Sequence, residues 1–498
     1  MKKTVANTTI IVMCFSLGTR LIAFLFKVFL SRTMGAEALG LFGMGLAVFG
    51  LLTMIPSSGI PLTVSRRVAE TADDRQAHRI VASGLVITLV VNGLTVGLFL
   101  MFRHPLMRLL SDPRAEQVLY IMLPATLSTC VYNVLRAYLM GRKHYVSYSV
   151  TETFEEIVNV AVVLVLMYGG YRVMTGGEAL ATAFLVGDVL TLGLLVILYV
   201  CLRGRLARPA PLAPIVKSSS PITLMRLFTS LAGTFSAILL PNRLVAAGMG
   251  VQEATVAYGE AVGMAYPLLF APLAITSALS VVLLPELAQL SSGGHYARAA
   301  GKIDVGIHYV LLIGIYFFIL FATLGRPLGM LIYHNEAAGA FVSFGAGMVI
   351  PLCLTQLTNT ALNSLGLELK CFLNTMLGLV VMAVCLWCLP SAIGVWALAV
   401  AQTAFFLVSF AANLIVLASH GATHTAFVRP FLWNAAGGAS IAALVEWIRR
   451  MTTGGKELAS TILLGALASV LYAGLLLATR SINIHAILAI LPHKKRAR

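Results

Sequence analysis

The stretch Thr8–Arg32, TTIIVMCFSLGTRLIAFLFKVFLSR, decides how this chain is read. At a rise of about 1.5 Å per residue, a helix of this length spans about 37 Å, enough to cross a hydrocarbon core of about 30 Å. Arg20 sits near its middle and Lys27 follows seven residues later, close to two helical turns, so both cations share one face. A charged side chain at mid-depth costs about 2.5–3.5 kcal/mol on insertion scales, and such residues face a bundle interior or a water-filled cavity. We read this face as one that receives an anion.

The rest of the chain agrees with a membrane setting. Of its 498 residues, 59% are hydrophobic and 11% charged, and the mean hydropathy is +0.91, against about 25% charged in soluble domains. Apolar runs recur to the end of the chain, separated by short polar punctuation, which predicts an all-α polytopic protein with no large soluble part. The alternating pattern of a membrane barrel is missing. A net charge of +16 is scattered over interhelical loops, so it speaks for orientation and anionic lipid rather than nucleic acid. Cys385 and Cys388 form a lone CxxC within an apolar run and read as packing.

The runs count to fourteen spans, read as six, six and two. Residues 1–203 form a first lobe, 204–220 a proline-rich basic cytoplasmic linker, 221–419 a second lobe, and 420–498 two final helices with a basic tail. Fourteen spans place both termini on one side, and lysines and arginines outnumber those of the opposite loops there by about two to one, which makes both ends cytoplasmic. Weak echoes between the lobes, such as Met34-Gly35 with Met249-Gly250, suggest a parallel repeat, whose substrate site is expected between the halves at mid-membrane. Pro56 and Pro61 in the second span, and Pro267 and Pro272 in the eighth, bend their helices and are candidate hinges.

Candidate substrate-binding cations are Arg20, Lys27, Arg136 and Arg226. Lys27 has the alternative of snorkelling to the outer interface, Arg226 of snorkelling inward, and Arg20 of a structural pairing. An arginine fork holds phosphate oxygens bidentately, and a pyrophosphate offers several. Glu152, Glu155, Glu156, Asp188 and Glu260 lie in or at the ends of spans; they serve as counter-charges, as a coupling-ion site, or as helix-pinning salt bridges. Asp73-Asp74 sits among arginines and reads as a solvated cluster. The histidines lack metal-site spacing, and Gly294–Lys302 lacks phosphate-loop spacing, so neither metal, cofactor nor nucleotide is expected.

Thr19–Met44 (TRLIAFLFKVFLSRTMGAEALGLFGM), Ser57–Glu70 (SSGIPLTVSRRVAE) and Tyr258–Gln289 (YGEAVGMAYPLLFAPLAITSALSVVLLPELAQ) closely resemble the stage V sporulation protein B-like branch of the multidrug, oligosaccharidyl-lipid and polysaccharide exporter superfamily. LRAYLMGRKHY (Leu135–Tyr145) and LNSLGLELK (Leu362–Lys370) look like its paired glycine motifs. The resemblance covers nearly the whole chain. It implies a MATE-like, two-lobed flippase that moves lipid-linked cell-wall or polysaccharide precursors by alternating access. Arg20 matches a first-helix arginine that lipid II flippases use in a cationic cavity. The chain departs from the pattern at Glu155-Glu156-Ile157-Val158-Asn159, where the branch reads Glu-Gln-Ile-Val-Arg, and its eighth span lacks the arginine of the better-studied lipid II flippases.

The expected function is therefore export of an undecaprenyl-pyrophosphate-linked saccharide, with lipid II for peptidoglycan or spore cortex first among them, by a monomer in the cytoplasmic membrane. Membrane lipid and cell-wall synthases are the expected partners. A MATE-type cation antiporter would instead want an acidic, aromatic cavity. A membrane glycosyltransferase would want an acidic site in a membrane-proximal loop, and Asp73-Asp74 is a poor one.

Overall fold

In hydrocarbon every backbone N–H and C=O must be satisfied within its own segment, so a chain this apolar has to run as helix after helix. The computed structural model describes residues 2–108, 110–168, 176–205, 207–292, 296–423, 428–451, 457–479 and 481, with 2–14 and some further helical positions described for backbone alone. The basic tail His493–Arg498, His295, Arg172 and Lys456 lie outside these residues.

The helices in chain order are α1 Lys2–Ser57, α2 Gly59–Glu70, α3 Asp74–Met101, α4 Arg103–Met107, α5 Arg114–Met122, α6 Ala125–Gly141, α7 Tyr145–Tyr168, α8 Gly176–Cys201, α9 Ala213–Ala246 and α10 Val251–Tyr258. A π-helical segment, Gly259–Ala265, leads into α11 Tyr266–Leu269. Then come α12 Pro272–Ser292, α13 Tyr296–Tyr333, α14 Glu336–Gly345, a 3-10 turn, α15 Val349–Ser364, α16 Glu368–Cys388, α17 Pro390–Ile393, α18 Trp396–Ser419, α19 Val428–Met451 and α20 Glu457–Ala478. The all-α, multi-pass architecture expected from the sequence is the one found.

Nine described helical runs are long and apolar enough to cross a membrane, or ten with the bent pair Arg114–Met122 and Ala125–Gly141 taken as one span. The first, Gly18–Glu70, holds 53 residues, about 80 Å of helix and far more than one crossing needs. Gly35, at φ 78° and ψ 176°, breaks α1 there into two arms, a conformation that glycine adopts without steric cost. Fourteen crossings would further require α7, the α10–α12 run and α19, which are not among the nine.

The prolines stand at breaks. Pro56 ends α1 beside the interruption at Ser58, and Pro61 lies in the first turn of α2. Pro267 follows the π segment and Pro272 opens α12. A proline lacks the N–H and crowds the carbonyl four residues back, so a widened turn ahead of Pro267 accommodates it.

Contacts divide the chain into two compact units, Met1–Pro267 with Ala383–Leu398, and Leu268–Met382 with Ala399–Arg498. The first unit takes in α9 and α10 besides the helices before the proline-rich segment. Its core joins Ile60, Val64 and Val68 of α2 to Ile80 and Val81 of α3, Val134 and Tyr138 of α6, and Leu195 of α8. The second arm of α1 meets α10 and the π segment so closely that a Cβ on Gly259 would collide with the Ala36 carbonyl. The proline-rich segment is tied down: Ala210 N–H donates to the Arg79 carbonyl at 3.3 Å, and Arg67 Nη2 to the Pro214 carbonyl at 3.2 Å. The second unit packs Leu312, Ile315 and Ile319 of α13 against Val445 of α19 and Leu464, Ala468 and Tyr472 of α20.

Candidate functional site

The cationic face is built where the first arm of α1 runs beside α7. Thr19 Oγ1 and Thr153 Oγ1 are hydrogen-bonded at 2.8 Å and pin the two helices at this level. Arg20, the next residue, is exposed and has no side-chain partner among the described residues. Two turns further, Lys27 is also accessible, yet closely surrounded by protein and within electrostatic reach of Glu156 on α7. Accessibility combined with a crowded surround is what a group lining a cleft has. Periodicity accounts for the shared face, since residues seven apart lie about 20° from eclipse on an ideal helix.

Arg136 has a different environment. Its side chain is buried, Nη2 donating to Glu155 Oε2 at 2.6 Å and to the Thr151 carbonyl at 3.1 Å, and Nε to Thr151 Oγ1 at 3.3 Å. The guanidinium lies over the Tyr132 ring, 4.7 Å from its centroid, and the Tyr132 hydroxyl donates to the other Glu155 oxygen at 3.3 Å. The charge of Arg136 is thus balanced inside the first unit. Glu152 accepts from the Tyr148 hydroxyl at 2.9 Å. Adjacent positions of α7, about 100° apart around the helix, therefore send carboxylates to different neighbours, Glu155 to α6 and Glu156 towards α1.

Asp188, on α8, is fully buried. Thr129 of α6 donates to one carboxylate oxygen, and the other has no partner among the described residues. Asn159 Oδ1 of α7, which presses on the backbone of Gly187, and Thr191 Oγ1 are in the same condition. Each such atom costs about 1–3 kcal/mol of desolvation, so this polar node is expensive to keep in a membrane helix. Arg226 is exposed on α9 and Glu260 half-buried on the π segment, each with polar or electrostatic contacts of its own. No cluster of three metal-ligating side chains occurs among the described residues.

The sequence reading missed a second network. Arg114 Nη1 bonds Glu37 at 2.6 Å and its Nη2 and Nε bond Asp112 at 2.8 and 3.1 Å, while the Thr255 hydroxyl donates to Asp112 at 3.0 Å. The turn after the α1 break, the loop before α5 and the start of α10 are thereby joined. An aspartate two residues before Arg114, whose N–H it accepts at 3.0 Å, is legible as a turn cap; its partner on α10 is not.

Burial alone would raise the Asp112 carboxyl, but hydrogen bonds from Arg114 and Thr255 outweigh it and hold the group below the usual carboxylate range. A depressed folded-state value adds stability that is present above the unfolded value of about 3.9 and is lost as pH falls through the folded one. Asp112→Asn is expected to lower stability by about 1–3 kcal/mol at pH 7. Melting curves in detergent should therefore converge for wild type and variant as pH drops below about 4; a constant gap would show that Asp112 acts without its charge.

Comparison with known proteins adds the following. Residues 5–291 match the family described as "Polysaccharide biosynthesis protein". Stage V sporulation protein B of Bacillus subtilis (strain 168) is 25% identical over 403 residues, 76% of this chain and 76% of that protein. Sporulation protein YkvU of the same organism is 23% identical over 337 residues, covering 63% and 72%. In fold, the chain is similar to the inward closed conformation of the lipid II flippase MurJ, with a TM-score of 0.73 at 12% identity, covering 93% of this chain and 98% of that one. It is also similar to an inward-facing multidrug resistance MATE family transporter of the MOP superfamily, with a TM-score of 0.68 at 14% identity, covering 82% and 96%.

Proposed function

The chain belongs to the polysaccharide biosynthesis protein family, and from that premise we propose that it is a flippase which carries a lipid-linked saccharide with an anionic phosphate linkage from the cytoplasmic to the outer leaflet by alternating access. Lipid II, the substrate that MurJ's name carries, is the first substrate to test. The observation that supports this reading is the accessible pair Arg20 and Lys27 on one face of a membrane helix, with Glu156 opposite Lys27. Such a face gives a pyrophosphate two cations about 10 Å apart along the helix, while Glu156 satisfies Lys27 between substrates. Drug exporters share the fold, so the sign of the charge on this face, and not the architecture, separates the two readings.

Binding drives the conformational cycle only as far as the headgroup's affinity differs between the inward and outward states. Both termini on the cytoplasmic side, the assignment that the loop charges favour, would open the site first to the leaflet where such precursors are made.

The test is flipping of labelled lipid II and of shorter lipid-linked sugars in proteoliposomes. Arg20→Ala removes a charge-assisted contact and should slow flipping about tenfold or more, with Arg20→Lys recovering part of the rate. Unchanged flipping by Arg20→Ala removes this face from the mechanism. Export of cationic dyes without glycolipid movement would turn the reading to a cation antiporter.

A further inference from the structure

Three polar segments of the first unit are bound into one surface. Arg142, at the end of α6, donates from Nη1 to the Thr71 carbonyl at 3.1 Å and from Nη2 to Asp74 at 2.5 Å, which fastens the α6–α7 turn to the α2–α3 corner. The linker after α8 is fastened to the same corner: Ala210 N–H donates to the Arg79 carbonyl at 3.3 Å, and Ser83 Oγ lies 2.9 Å from both the Arg79 and the Ala210 carbonyl oxygens. Beneath them the His78 ring meets those of Tyr138 and Tyr199 at centroid distances of 5.9 and 6.0 Å, and these two tyrosines meet each other at 5.0 Å.

The spans set the level of this surface. The apolar runs Gly18–Glu70, Asp74–Met101 and Gly176–Cys201, and the bent pair that closes at Gly141, each have one end here. It therefore lies where hydrocarbon gives way to headgroups and water.

Its cations outnumber the carboxylates beside them. Arg75, Arg79, Lys143, Arg203, Arg205 and Arg208 are exposed, and none has an ion pair or a side-chain hydrogen bond among the described residues. Of the carboxylates at the corner, Asp74 is taken by Arg142, Asp73 caps α3 by accepting the Arg75 N–H at 2.9 Å, and Glu70 is exposed. The orientation rule places lysines and arginines on one side of the membrane, but it does not require three loops to be tied so that their cations share a surface.

This surface adjoins the candidate substrate face. α7 begins at Tyr145, just after Lys143, and Thr153, which bonds Thr19 beside Arg20, lies about 12 Å further along the helix. On the assignment of sides that the loop charges favour, this is the end at which a phosphate-linked precursor arrives.

We propose that this basic surface captures the anionic phosphate linkage of the transported lipid and passes it to the α1–α7 face. The proposal rests on the transport reading and adds to it a separate docking step, in which clustered cations at headgroup level raise the local concentration of substrate.

The test uses the full chain in phosphatidylcholine nanodiscs, with fluorescent undecaprenyl pyrophosphate as the probe, titrated at low and at high ionic strength, and flipping of the same probe in proteoliposomes. Two pairs of substitutions lie on different segments, Arg75→Gln with Arg79→Gln, and Arg205→Gln with Arg208→Gln. Each pair, at an unchanged melting temperature, should weaken binding about fivefold at low ionic strength, and the gap should close as salt screens the surface. In flipping, the loss should fall on KM rather than on kcat, whereas Arg20→Ala should lower kcat. Wild-type affinity in either pair overturns the proposal. A gap that disappears when phosphatidylglycerol is added to the nanodiscs also overturns it, because the surface then holds bulk anionic lipid. Binding that depends on both pairs, in a chain that does not flip the probe, upholds the surface and sinks the transport reading alone.

Discussion

Arg136→Ala is expected to cost about 3–5 kcal/mol of stability, because it leaves Glu155 as an uncompensated charge inside the first unit. The pair is 11% and 20% exposed at its two side chains, so water cannot replace the lost partner. Tyr132 would also lose the cation over its ring. The double variant Arg136→Met with Glu155→Gln removes both charges and should recover most of the loss, since buried ion pairs seldom outperform apolar replacements of similar volume. Asp74→Asn, which leaves Arg142 its bond to the Thr71 carbonyl, is the control. The Asp74 side chain, which pairs with Arg142, is 79% exposed, and a carboxylate so placed contributes about 0–1 kcal/mol. Unfolding in detergent micelles measures all three, and a double variant as unstable as Arg136→Ala would show that packing, not charge, is what Arg136 supplies.

Asp188→Asn is expected to lower gradient-driven transport about ten- to a hundredfold, the range of typical coupling energies, without destabilising the protein. The substitution keeps an acceptor for Thr129 and removes a buried titratable carboxyl with one unbonded oxygen, so its melting temperature should hold or rise. Transport measured in proteoliposomes under imposed proton or sodium gradients, against transport without a gradient, separates coupling from folding. If gradient stimulation is identical in wild type and variant, Asp188 is a structural residue and the node with Asn159 and Thr191 is not the coupling site. The outcome is independent of Arg20, to which we assign the substrate and not the driving ion.

Much of the architecture is legible from short-range rules. Apolar runs of bilayer length, the prolines at helix breaks and the shared face of Arg20 and Lys27 all follow from a 1.5 Å rise and 3.6 residues per turn. The candidate site was legible only where it is local. Glu155 lies 19 residues from Arg136 and on a different helix, and no periodicity assigns it to that arginine rather than to Lys27. Asp112 reads as the cap of a turn, and its bond to Thr255 spans 143 positions. Arg326, Arg449 and Arg450 line one pocket of the second unit from helices more than a hundred residues apart, a meeting that no local pattern announces.

By itself the sequence determined that this is a helical, multi-pass membrane protein of an exporter type, with positive charge inside its first span. Hydropathy and helical period are properties of neighbouring residues, and the bilayer enforces them on every segment separately. Tertiary structure decided which charges are already neutralised and which stay accessible: Arg136 closed on Glu155, Arg20 open, Asp188 buried with an oxygen unbonded. Those outcomes depend on which helix faces meet, and in a low-dielectric interior the meeting of two side chains fixes whether a charge pins the fold or remains free to bind.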